Sequence, residues 1–119
     1  MSWTVIFHDA FDADFVVFSR DVQTALLAKA RLLEAFGPHL GRPHVDTLND
    51  SRHANMKELR FDAADGVWRV AFAFDTLRQA VVLVAGDKSG SSEKRFYRSL
   101  IATADKRFDD HLAHQGKGS

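Results

Sequence analysis

The spacing of hydrophobic positions changes repeatedly along the chain, and each change marks an element. Trp3 to Phe7 is a short β-branched and aromatic run that predicts a first strand. From Asp9 the period lengthens: Phe11, Phe15 and Phe18 fall on one helical stripe, with acidic residues near the start where they complement the helix dipole. Ser19 is placed to cap a second helix with Val22, Leu26, Leu33 and Phe36 near one face, and Gly37-Pro38 predicts its end. These two helices read as an antiparallel pair. His39 to Asn55 is polar and irregular and reads as a loop with at most one helical turn.

Alternation then returns. Met56 to Phe61 places Leu59 and Phe61 on one face and Glu58 and Arg60 on the other. Asp65-Gly66 is a turn signal, after which Trp68, Val70, Phe72 and Phe74 alternate with Arg69, Ala71 and Ala73 as far as Asp75. The first set is the expected core face. The second, one arginine beside two alanines, reads as a shallow open face. Gln79 to Ala85 is apolar on both faces, as in a central strand. A small-residue loop, Gly86 to Ser92, leads into a last helix over Glu93 to His114, capped by Ser91 or Ser92, with Phe96, Leu100, Ala104, Phe108 and Leu112 on one stripe.

The order β-α-α-β-β-β-α predicts one α+β domain over residues 1–114, a mostly antiparallel sheet with two N-terminal helices and a C-terminal helix. The expectation is a sheet packed on one side, with the other side partly open and Arg69 pointing into it. Residues 115–119 are expected to form a frayed tail.

With 119 residues, 45% of them hydrophobic, the chain can bury a core. It has no cysteine, so it offers neither a disulfide framework nor a thiolate metal site. No apolar run approaches membrane-span length, and Met1-Ser2-Trp3-Thr4-Val5 lacks the marks of a signal peptide, so a cytoplasmic protein is expected. The net charge of zero conceals an asymmetry. Residues 1–50 carry four basic and seven acidic side chains, residues 51–108 eleven and seven, and residues 109–119 one and two. A neutral total argues against simple coating of nucleic acid but leaves room for a local basic face.

The basic side chains of the second half gather near the only tyrosine. Arg60 and Arg69 project away from the expected core face, and Lys88 sits in a glycine-bounded loop able to reach over them. Lys94, Arg95, Tyr97 and Arg98 lie on the first turns of the last helix. An exposed strand arginine ordinarily does no more than keep a sheet face soluble. Together, however, these groups suit metal-free transesterification of RNA. There the ribose 2′-OH attacks the adjacent phosphate, a base takes its proton, an acid protonates the leaving oxygen and guanidinium groups stabilise the charge. A lysine or tyrosine serving as base would need a lowered pKa, and neighbouring cations push in that direction. Metal and phosphate-loop chemistry have less support. His111 and His114 have ligand spacing but no clear third partner, Asp9, Asp12 and Asp14 lack the rest of a calcium loop, and Gly86 to Gly90 lacks Walker spacing. No cofactor is expected.

Several blocks in order resemble one family. They are Leu40-Gly41-Arg42-Pro43-His44-Val45-Asp46-Thr47-Leu48, Lys57-Glu58-Leu59-Arg60-Phe61, Trp68 to Asp75, Gly86-Asp87-Lys88, Arg95-Phe96-Tyr97 and Ala104 to Leu112. Together they look like the HigB-type branch of the RelE/ParE-superfamily toxins. The resemblance implies a type II toxin neutralised by a cognate antitoxin, often a small helix-turn-helix protein, and cleavage of mRNA on the ribosome. It implies catalytic roles for Arg60, Arg69, Lys88, Lys94 and Tyr97; Lys57, Arg95 and Arg98 are expected to hold RNA. The ParE side of the superfamily poisons DNA gyrase instead, so gyrase inhibition and a non-catalytic antitoxin-binding protein stand as alternatives.

Overall fold

A computed structural model of the chain describes residues 3–90 and 92–117. In chain order it contains β1 (Thr4–Phe7), α1 (Asp9–Phe15), α2 (Arg20–Phe36), a short 3₁₀ turn (Gly37–His39) and β2 (Val45–Thr47). These are followed by β3 (Met56–Ala63), β4 (Gly66–Phe74), β5 (Gln79–Asp87) and α3 (Glu93–Lys117). The five strands form one sheet in the order β1-β5-β4-β3-β2; β1 runs parallel to β5 and every other pair is antiparallel.

The helix boundaries follow from local chemistry. The Ser19 hydroxyl accepts from the Val22 N–H at the start of α2, and Gly37 ends that helix at φ +53°. Ser92 caps α3: its carbonyl accepts from the Phe96 N–H at 2.9 Å and its hydroxyl from the Arg95 N–H. Ser91 lies outside the described residues. α3 continues through Lys117, past the expected end at His114, and the Gln115 amide donates to Asp75 at 2.6 Å. α1 stops at Phe15, but Phe15 and Phe18 still pack on the core with buried Phe11. α1 and α2 lie over β5 and β3 respectively. The β3–β4 turn falls one residue earlier than expected. Ala64 and Asp65 both have positive φ, as a two-residue hairpin loop requires, and Gly66 already pairs with Ala63.

Two corrections bear on function. The 39–55 segment contains an edge strand, β2, in which Val45 pairs with Leu59 and Asp46 with Glu58. More importantly, neither sheet face is open. Phe11, Val22, Leu26 and Leu33 cover Leu59, Phe61, Val70 and Phe72 on one side. On the other, Leu100, Ile101, Ala104 and Phe108 of α3 cover Met56, Ala71, Ala73, Val81 and Leu83. The alanines give α3 room to lie close to the sheet. Arg69, expected on open surface, is buried at 7% exposure.

Candidate functional site

Along β3, β4 and α3, three polar groups meet where the apolar contact of α3 with the sheet runs out. Glu58 and Arg60 occupy the α3-facing phase of β3, and Arg60 pairs across the strands with Arg69. The Tyr97 hydroxyl, on the second turn of α3, donates to Glu58 Oε1 at 2.8 Å. Arg69 Nε lies 3.8 Å from the same oxygen, and its Nη1 donates to the Trp68 carbonyl at 2.9 Å. Arg69 Nε is buried without a hydrogen bond of its own. Arg69 thus serves Glu58 as a close countercharge rather than as a direct hydrogen-bond donor from Nε.

This cluster forms the inner end of a cleft of about 910 Å³ between α3 and the β2–β3 side of the sheet. Arg60, Lys94, Tyr97 and Arg98 line it, as do Glu58, Asp46 and the 48–50 turn. Lys88 stands over the cluster, its Nζ 3.0 Å from Glu93 Oε1 and 5.9 Å from the centre of the Tyr97 ring. Arg60 approaches Asp46 at 3.8 Å, and Asp46 is held more closely by Arg42 at 3.0 Å. The expected catalytic set of Arg60, Arg69, Lys88, Lys94 and Tyr97 is therefore brought together, with Arg98, but in layers. Arg60, Lys94 and Arg98 face the cleft, whereas Arg69 lies beneath it.

Two expected RNA-binding residues lie elsewhere. Lys57 shares the strand phase of Leu59, so it points to the other side of the sheet, where its Nζ donates to Thr47 Oγ1 at 3.3 Å. Arg95 lies on the opposite flank of α3, beside Val84, Phe96 and Ser99. Helical spacing explains the latter: Lys94 and Arg98 are four apart on one face, and Arg95 is rotated off it.

The proton chemistry also departs from expectation. Burial and the hydrogen bond to Glu58 push the Tyr97 hydroxyl up to about 12, so it stays protonated and is a donor rather than a base. Arg69 acts on it in the opposite direction, but more weakly. Burial pushes the Glu58 carboxyl above its ordinary range, against the lowering effects of Tyr97, Arg69 and Arg60. Glu58 is the site residue that alternation alone concealed, because a glutamate in the polar phase of a strand reads as solvent-facing. The signal was the apolar stripe of α3, which needed a sheet face to cover. Among the described residues, no group of three or more His, Asp or Glu side chains is assembled to hold a metal ion.

Comparison with known proteins agrees with this architecture. Residues 13–109 match the family model described as Phage derived protein Gp49-like. The chain is 45% identical over 104 residues to a Mycobacterium tuberculosis protein that carries the toxin name HigB3, covering 87% of this chain and 89% of that one. A second protein of that organism, with the toxin name HigB2, is 44% identical over 95 residues. That match spans 79% of this chain but only 47% of the relative's length. Among solved structures, a double arginine-to-alanine variant of the Escherichia coli toxin RelE in its free state superposes with a TM-score of 0.61. It is 12% identical, with 86% of this chain and 96% of that chain covered, which is a likeness of fold. The class is thus that of HigB-like toxins, the toxin halves of toxin–antitoxin pairs, on a RelE-like fold. Within it, the chain belongs to the phage-derived Gp49-like family.

Proposed function

We propose that this toxin cleaves mRNA presented by the ribosome, by attack of a ribose 2′-OH on the adjacent phosphate without a metal ion. The observation that carries the reading is the Tyr97–Glu58 hydrogen bond at the inner end of a cleft lined by Arg60, Lys94 and Arg98. Glu58, made more basic by burial, accepts the 2′-OH proton. The new bond joins O2′ to phosphorus, the bond from phosphorus to O5′ breaks, and Tyr97 protonates the departing oxygen. The products are a 2′,3′-cyclic phosphate and a 5′-hydroxyl end. Glu58 then returns a proton to Tyr97 along the hydrogen bond that already joins them, which resets the pair.

Arg60, Lys94 and Arg98 hold the phosphate and the charge that develops on it. Lys88 adds positive potential over Tyr97. Arg69 acts as a positioning residue, since burial keeps it from the cleft while its charge fixes Glu58 from below. The zero net charge gives the chain little pull on free RNA, so the ribosome supplies the concentration and strand geometry that the surface does not. On this reading it acts in the cytoplasm, where the cognate antitoxin, expected to be a small helix-turn-helix protein, restrains it. Among the described residues no helix is long and apolar enough to cross a membrane.

Mapping 5′ ends of mRNA after brief induction tests the reading. New 5′-hydroxyl ends within translated regions are expected. Intact mRNA together with loss of DNA supercoiling would replace cleavage by gyrase inhibition.

A further inference from the structure

The cleft extends well beyond the Glu58–Tyr97 pair, and its outer end has a different character. Exposed Ala102 and the narrow accessible edges of Leu48 and Ile101 make its apolar side there, while Asn49 and Asp50 are exposed beside them. Five carboxylates line the cleft, and four are committed. Asp46 pairs with Arg42, Glu58 accepts from Tyr97, Glu93 pairs with Lys88, and Asp105 accepts from Ser51 Oγ at 2.5 Å and the Arg52 N–H at 3.1 Å. Asp50 alone has no hydrogen-bond or ion-pair partner among the described residues, and the Asn49 amide has none either. The turn that carries them is nevertheless fixed. Ser51 and Arg52 are bound to Asp105, and His53 Nε2 lies 2.8 Å from Asp109.

We propose that this outer end is a slot for one nucleobase of the bound RNA and that it favours guanine. The inference rests on the cleft being the RNA site argued above. An apolar wall takes the face of an unstacked base, as in single-stranded RNA recognition. A free carboxylate offers two acceptor oxygens side by side. Only guanine presents two adjacent donors, N1–H and the 2-amino group, on its Watson–Crick edge. Adenine and cytosine present one amino group next to a ring acceptor, and uracil flanks its single N–H with two carbonyls. The Asn49 amide can donate to guanine O6, and Lys94 and Arg98 are on hand for the attached phosphate. The four committed carboxylates are not free to compete for the base.

The test is an NMR titration of the full chain with 3′-GMP, 3′-AMP, 3′-CMP and 3′-UMP. 3′-GMP is expected to bind about tenfold or more tighter than the others, in line with the discrimination a bidentate base contact provides. Asp50→Ala, on an exposed turn, should erase that preference and bring 3′-GMP to the same affinity as the other three nucleotides. Equal binding of the four nucleotides, or a guanine preference that survives Asp50→Ala, overturns the slot. The readout does not depend on cleavage. Guanine preference with uncut mRNA would leave the slot standing and remove the cleavage reading, whereas cut mRNA without guanine preference would remove the slot alone.

Discussion

Arg69→Met is the substitution whose effect departs furthest from what a surface arginine would show. Methionine keeps the aliphatic volume but removes the charge 3.8 Å from Glu58 Oε1 and the donor to the Trp68 carbonyl. Glu58 is 6% exposed, so its carboxylate would be left buried with the Tyr97 hydroxyl as its remaining close partner. Removing one member of a buried ion pair costs about 3–5 kcal/mol, and a carboxyl free to take up a proton reduces that to about 2–4 kcal/mol. For a domain of this length Tm falls about 4 °C per kcal/mol, so a loss of about 8–16 °C at pH 7 is expected.

The pH dependence fixes the cause. Burial raises the folded pKa of Glu58 above the ordinary 4.5, so the charged form penalises the folded state once pH rises past that value. Loss of Arg69 raises the folded pKa further. Both proteins lose stability alike between 4.5 and the wild-type folded pKa, so the gap between them should open only above that raised value and close in more acidic solution. Adding Glu58→Gln to Arg69→Met should recover about half of the loss or more, which a double-mutant cycle reads directly. Thermal unfolding followed by circular dichroism is sufficient. An Arg69→Met protein as stable as wild type at pH 7, or one whose deficit is the same at pH 4 and pH 7, would refute the coupling.

Tyr97→Phe removes only the hydroxyl that donates to Glu58, and it should slow mRNA cleavage by about 10²- to 10⁴-fold while Tm falls by only a few degrees. Asp105→Asn weakens the anchor of the 51–53 turn, costing about 1–3 kcal/mol in chemical denaturation and loosening the outer cleft, visible as faster amide exchange at Arg52. Gly37→Ala should destabilise by about 1 kcal/mol or more in the same denaturation assay. Its φ of +53° disfavours a side chain, and the added methyl would collide with the Trp3 ring.

The elements that local chemistry specifies could be read from the sequence. Ser19 and Gly37 bracket α2, and the alternation from Trp68 to Phe74 sets the core face of β4. Elements that depend on a partner could not. β2 has three residues, two of them polar, and exists because Val45 and Asp46 find Leu59 and Glu58 on β3. Ala71 and Ala73 carry too little hydrophobic signal to announce a buried face, although the two-sided apolar character of β5 and the stripe of α3 together required one. That error exposed Arg69 on paper and hid Glu58. Strand alternation put Arg60, and the helix period Lys94, Tyr97 and Arg98, on the side of the cleft, whereas strand phase turns Lys57 and helix rotation turns Arg95 away from it.

In the proposed reaction Glu58 and Tyr97 act as a proton-transferring pair on RNA. The most direct measurement is single-turnover cleavage of a defined mRNA on ribosomes in a purified translation system, wild type against Glu58→Gln. A glutamine keeps the size and an acceptor for Tyr97 but cannot take the proton. Wild type is expected to give a 5′-hydroxyl product, and Glu58→Gln a rate about 10²- to 10⁴-fold lower in a variant that still folds and still binds its antitoxin. Cleavage by Glu58→Gln at the wild-type rate, or mRNA left whole by the wild-type toxin, would contradict the proposed reaction.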